Sequence, residues 1–156
     1  PEPHAQGYQY DPDSPSAAPE DVTDVPIDPN GAWASGALIS TPADVATFFG
    51  ALLAGDVVPE AQLEEMMQTV PGGGSPEGPG TNNAGLGIFD WEVSCGEIWG
   101  HTGSFPGYRT LGGASADGSG AIGMTANATG LPDEAEQAVL HAQELAACRV
   151  LGEPVG

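Results

Sequence analysis

The chain has 156 residues, the size of one ordinary domain, and 40% of them are apolar, enough for a core. Twenty-two acidic side chains face two basic ones, Arg109 and Arg149, and there is no lysine, so the formal net charge is −20. A field of that sign repels phosphate backbones and anionic membrane surfaces, which argues against nucleic-acid binding, and no apolar run reaches the roughly 18–20 residues of a membrane span.

Residues 1–30 hold seven of the 15 prolines, seven acids and few large apolar groups, which predicts an extended connector. Order is expected from Gly31-Ala32-Trp33 onward, and residues 31–71 read as a helical portion. Thr41 can cap a helix, Pro42 fits its first position, and Asp44 complements its N-terminus. Val45, Phe48, Phe49, Leu52 and Leu53 recur on one face, and Gly55 ends the helix. A second, shorter helix starts at Pro59 and carries Leu63, Met66, Met67 and Val70 on one side. Residues 72–83 form a Gly/Pro/Ser/Asn loop without periodicity.

Beyond that loop the period changes to that of strands, predicted at 85–93, 97–101, 108–115 and 121–127, with Asp117-Gly118 in the turn between the last two. A final helix from Pro132 places Ala135, Val139, Ala142, Leu145 and Ala146 on one face. Residues 84–151 thus carry strands and a helix of one domain. The fold class is α+β, with a mostly antiparallel sheet, a C-terminal helix and part of a helical subdomain.

The chemistry-bearing residues are few. Cys95 and Cys148 lie 53 apart, either bridged or two buried thiols. None of His4, His101 and His141 has metal-ligand spacing with another His or Cys, so no metal and no cofactor is expected. The Gly-rich stretch at 72–80 lacks a lysine and a following helix, so it is no phosphate-binding loop. His101 stands apart, because it ends the strand Ile98-Trp99-Gly100-His101 and runs into Thr102-Gly103-Ser104, where a glycine lets another backbone approach and hydroxyls can bond it.

Taken in order, Trp33, Ser35-Gly36-Ala37-Leu38-Ile39-Ser40-Thr41, Phe48-Phe49-Gly50-Ala51-Leu52, Gln62-Leu63, Gly85-Leu86-Gly87, Ser94-Cys95-Gly96, Gly100-His101-Thr102-Gly103 and Gly107-Tyr108 form a recognisable series. The series resembles the C-terminal half of the serine β-lactamase-like family, and above all the secreted D-alanyl-D-alanine carboxypeptidases of actinobacteria, relatives of class C β-lactamases and some esterases. It covers roughly Trp33 to Cys148. The resemblance implies the C-terminal portion of a β-lactamase/DD-peptidase-like fold and a secreted bacterial serine hydrolase working through an acyl-enzyme. His-Thr-Gly would be the family's third active-site element, on the strand lining the cleft. His101 then handles charge and protons, Thr102 bonds the substrate's carboxylate or carbonyl, and the Ser104 N–H is one of two oxyanion-hole donors. Trp33, Phe89, Gly103 and Arg109 complete the implied substrate-binding set. The resemblance also implies a Cys95–Cys148 disulfide.

Two departures qualify that reading. The family's Ser-x-x-Lys and its Tyr-x-Asn or Ser-x-Asn are absent from the chain. The expected partner is therefore a missing N-terminal half carrying Ser-x-x-Lys, on the same or a separate polypeptide, with the isolated chain inactive. The alternative is a non-catalytic remnant or binding module. The second departure is that the stretch in which the carboxypeptidases place a carboxylate-holding arginine reads Phe89-Asp90-Trp91-Glu92. An acidic rim disfavours an anionic substrate and suits less anionic peptides, β-lactams or esters, unless Arg109 substitutes from the next strand.

Overall fold

The computed structural model describes residues 4–14, 16–25, 32–72 and 77–152. Gly31, the middle of the 72–83 loop and residues 1–3 lie outside them. Two helices come first, α1 (Pro42–Leu53) and α2 (Glu60–Met66). The Thr41 side chain caps α1 by accepting from the Asp44 N–H at 3.1 Å while its hydroxyl donates to the Asp44 carboxylate at 2.8 Å. Six strands follow, β3 (Val70–Pro71), β4 (Thr81–Ala84), β5 (Phe89–Val93), β6 (Gly96–Phe105), β7 (Tyr108–Ala114) and β8 (Ala121–Ala126). They form one antiparallel sheet in sequence order, and the chain closes with helix α3 (Asp133–Val150).

The sheet has a core on each face, because successive residues of a strand point to opposite sides. On one face Phe49, Leu52 and Leu53 of α1 and Leu63 of α2 pack against Ile88, Trp99 and Ala114. On the other, Trp91, Ile98, Leu111 and Ile122 pack against Ala147 of α3. Gly112 and Gly123 are register partners in β7 and β8. A Cβ on Gly123 would overlap the Pro42 carbonyl, and one on Gly112 would overlap Val45, so these two glycines let α1 lie directly on the sheet.

Several expectations shift. The predicted loop 72–83 contains strand β4, because the Asn83 backbone N–H and side-chain Nδ2 both donate to the buried Asp90 carboxylate, at 3.0 and 2.8 Å. Strand β6 runs four residues beyond His101. Phe48 is half-exposed and Val70 lies on the surface. The inward face of α3 is also turned from the predicted one. Gln143, Ala147 and Cys148 are buried while Ala142 and Leu145 are exposed. Two side-chain tethers on the buried side orient that helix: Glu136 bonds Arg109 of β7, and Cys148 bonds Cys95 in the β5–β6 turn. The disulfide spans a Cα–Cα distance of 5.5 Å. Beside it, the Ser94 hydroxyl and N–H hold the Glu144 carboxyl below the usual carboxylate range.

Within the segment 1–30, the described residues 4–14 and 16–25 are attached to the sheet-bearing part of the chain. Its strands β1 (Tyr8–Gln9) and β2 (Glu20–Asp21) join β9 (Ala128–Thr129) in a small second sheet. The Tyr108 hydroxyl donates to the Ala5 carbonyl at 2.7 Å, and the Asn127 side chain donates to the Gln6 carbonyl at 2.9 Å. Gly7 and Val22 are buried there. The segment therefore packs against the end of the β6–β7 hairpin, next to the candidate site.

Candidate functional site

Strand β6 changes partners halfway along. Its ladder with β5 ends at Phe89↔Gly100, whereas its ladder with β7 continues to Phe105↔Tyr108. From His101 to Phe105 the strand is therefore paired on one side only among the described residues. In an antiparallel ladder, alternate N–H and C=O groups point away from the partner strand, so this stretch offers main-chain donors and acceptors along an open edge. The Ser104 N–H belongs to that stretch.

His101 is exposed, and two contacts fix its imidazole. Phe89 meets the ring edge-on, with centroids 5.2 Å apart and planes at 72°. Nδ1 lies 2.5 Å from the Thr102 carbonyl oxygen. A carbonyl can only accept, so Nδ1 carries the proton in this bond and Nε2 is left as the ring's acceptor. The phenyl wall and the main-chain bond set the direction of a group able to move a proton.

Beside the open edge lies a groove of about 400 Å³. It is lined by Thr102, Gly103 and Ser104 of β6, Arg109 and Thr110 of β7, and Glu136 and Gln143 of α3. Thr129, Gly130 and Glu77 also line it. Arg109 is largely covered, its Nη1 bonded to Glu136 and its Nη2 3.9 Å from Glu77. Its charge is thus already engaged. The acidity of the groove comes from Glu77 and Glu136 rather than from Phe89-Asp90-Trp91-Glu92: Asp90 is buried and accepts from Asn83, and exposed Glu92 does not line the groove.

Thr102, Gly103, Ser104 and Arg109 line the groove, whereas His101 and Phe89 contact each other where the β5–β6 ladder ends and do not line it. Trp33 is placed elsewhere: it opens a single 3₁₀ turn, is 81% exposed, and does not line the groove. Sequence reasoning missed Glu77, Thr129, Glu136 and Gln143. Only Gln143 leaves a trace in the sequence, as a polar residue four positions before Ala147 on an alanine-rich helix.

A family model described as Beta-lactamase matches residues 1–146. The chain is 36% identical to the D-stereospecific amidohydrolase from Streptomyces sp., with a TM-score of 0.72, over 92% of this chain and 40% of that one. The D-amino acid amidase from Ochrobactrum anthropi SV3, in complex with D-phenylalanine, is 25% identical with a TM-score of 0.70, over 95% of this chain and 43% of that one. The chain thus spans about two fifths of the length of these structures. A sheet covered by helices, a His-Thr-Gly strand with a free edge and a match over nearly the whole sequence lead to one conclusion: the chain belongs to the β-lactamase family, in a branch related to the D-amino acid amidases.

Proposed function

We propose that this chain supplies the His-Thr-Gly wall and one oxyanion-hole donor of a secreted serine hydrolase that cleaves amide or ester bonds through an acyl-enzyme. The observation that carries the reading is the one-sided pairing of His101–Phe105, which leaves main-chain donors unpaired in a stretch whose Thr102, Gly103 and Ser104 line a groove. A substrate acyl group lying along that edge would place its carbonyl oxygen at the Ser104 N–H, where charge develops as the tetrahedral intermediate forms. Thr102 bonds the acyl chain, and Gly103 lets it approach. His101 Nε2 accepts and returns a proton beside the nucleophile. The Cys95–Cys148 bridge supports an oxidising, extracellular location.

The nucleophile and its activating lysine come from a Ser-x-x-Lys outside these 156 residues, since the chain contains no lysine. Amide hydrolysis is favoured over carboxypeptidase action, because Arg109 is engaged by Glu136 and presents no free cation to a terminal carboxylate. The test uses the chain alone and the chain combined with a polypeptide carrying Ser-x-x-Lys. Alone, it forms no covalent adduct with a labelled penicillin and hydrolyses no p-nitroanilide. Combined, it does both. A stoichiometric acyl adduct on the isolated chain would overturn the assignment.

A further inference from the structure

The turn joining β6 to β7 is enclosed on several sides. Phe105 pairs with Tyr108 across Pro106-Gly107, and a two-residue tip of this kind is ordinarily the most exposed point of a hairpin. Gly107 is buried instead. Its φ of +81° already favours glycine, and an added Cβ would overlap Val22 and the Gly7 backbone. Its N–H donates to Thr129 Oγ1 at 2.9 Å. Next to it, the Tyr108 hydroxyl donates to the Ala5 carbonyl at 2.7 Å, and a Cβ on Gly7 would overlap the Tyr108 ring. These partners are themselves tied together. The Val22 N–H donates to the Gly7 carbonyl at 2.9 Å, the Gly7 N–H to Thr23 Oγ1 at 3.0 Å, and the Tyr10 N–H to the Thr129 carbonyl at 2.9 Å.

We infer that Ala5, Gly7, Val22 and Thr129 form a clamp that holds the open half of β6 in place, with Thr129 the positioning residue that fixes the Ser104 N–H through Gly107. The inference rests on reading that N–H as an oxyanion-hole donor. His101–Phe105 has no strand on its β5 side among the described residues, and a stretch with few neighbours opens locally at low cost. The sheet anchors it at Gly100 and the clamp anchors it at Gly107, which leaves Ser104 between two fixed points. Oxyanion stabilisation needs this. A donor helps only if it already stands where the charge will form, and a displacement of about 1 Å can slow a reaction about 10²-fold. Thr129 also lines the groove, so the test must separate positioning from contact with a substrate.

The test compares Thr129→Val, Thr129→Ser and Tyr108→Phe, in the chain alone and in the protein combined with a Ser-x-x-Lys polypeptide. Thr129→Val keeps the side-chain shape and removes the acceptor of the Gly107 N–H, whereas Thr129→Ser keeps that acceptor. Tyr108→Phe removes only the hydroxyl bonded to Ala5, so it carries the test if Thr129→Val does not fold. In the chain alone, the backbone order parameters of Gly103–Phe105 should stay near the rigid value of about 0.85 in the parent and in Thr129→Ser. In Thr129→Val they should fall toward about 0.6, with Ile98 and Trp99 unchanged. In the combined protein, kcat for a p-nitroanilide should fall about tenfold in Thr129→Val at unchanged KM, because the lost interaction belongs to the transition state. Tyr108→Phe should lower it several-fold, and Thr129→Ser should restore it. Asp117→Asn, in the turn at the other end of the sheet, should leave kcat unchanged. Undiminished rigidity of Gly103–Phe105 in Thr129→Val, a raised KM at unchanged kcat, or no loss of rate would each overturn the clamp and leave the hydrolase reading standing. A parent combined protein that forms no acyl adduct overturns the hydrolase reading, and the order parameters then still decide the clamp.

Discussion

The two halves of β6 are built to different specifications. Gly96–Gly100 is paired with β5 along its whole length and, at Trp99 and Gly100, with β7 as well, and its Ile98 and Trp99 are buried in opposite cores. A Cβ on Gly100 would overlap the carbonyl oxygen of Gly112 in β7, so glycine is there for packing. His101–Phe105 is paired on one side and carries mostly exposed side chains. An open edge of five residues is ordinarily a liability for aggregation, and proteins shorten or cover such edges. The proposed function gives that edge a use. One strand thus joins the sheet on its β5 side and, within the same ten residues, leaves backbone unpaired on that side among the described residues.

That contrast predicts unequal responses to truncation. Trp91 faces Ile98 across the paired half and is fully buried, so Trp91→Ala should cost roughly 3–5 kcal/mol in denaturant unfolding. Phe105, at the end of the open half, is 37% exposed, and Phe105→Ala should cost less than about 1 kcal/mol. Equal losses would erase the distinction between the halves. The disulfide belongs with the paired half, since it pins α3 to the turn where β6 begins. Closing a loop of 53 residues is worth about 4 kcal/mol in the chain-entropy account, and the Cys95→Ser, Cys148→Ser double variant should lose about that much. Non-reducing peptide mapping should recover the linked pair, and two freely alkylated thiols would refute it.

His101 sharpens the contrast from the other side. Its ring is exposed and bonded to its own strand, so His101→Ala should change stability by no more than about 0.5 kcal/mol. In the protein combined with Ser-x-x-Lys the same change should slow acylation by about 10²–10⁴. A silent His101→Ala would reduce the motif to an ordinary strand end.

Most of the secondary structure was legible because it rests on local rules. The Thr41 cap, the α1 stripe and the alternation through Trp91, Ile98 and Trp99 each show within a few residues of sequence. The His-Thr-Gly strand was legible by resemblance to a family. What stayed hidden depends on pairs distant in sequence. Strand β4 looks like a loop until Asp90 is placed beside Asn83. The face of α3 is marked by Arg109–Glu136 and Cys95–Cys148, two contacts with residues far away in sequence. The groove combines residues from 77 to 143, so no window of sequence contains it. The sequence alone offers Arg109 as a substrate anchor for the same reason, since its partner Glu136 lies 27 positions away.

The smallest expected effect tests whether acid sensitivity, too, belongs to the paired end of the sheet. In the β7–β8 turn the Asp117 carboxylate accepts from the Ser115 hydroxyl at 2.7 Å, from the Ser119 N–H at 3.0 Å and from the Ser119 hydroxyl at 2.8 Å. These bonds favour the charged form and lower its pKa from 3.8 to about 2. A carboxyl depressed on folding binds its proton more readily in the unfolded chain, so its contribution is fully present above 3.8 and is lost as pH falls through about 2. Asp117→Asn cannot titrate. The gap in urea midpoint between the parent and this variant should therefore be largest above pH 4 and shrink steadily toward pH 2. Because the turn is exposed, the gap should be small beside those at Trp91 or the disulfide. A gap that stays constant between pH 5 and pH 2 would show that Asp117 acts through turn geometry alone, and the acid sensitivity of the fold would then have to be sought elsewhere, first at Glu144 beside the disulfide, whose carboxyl Ser94 also holds low.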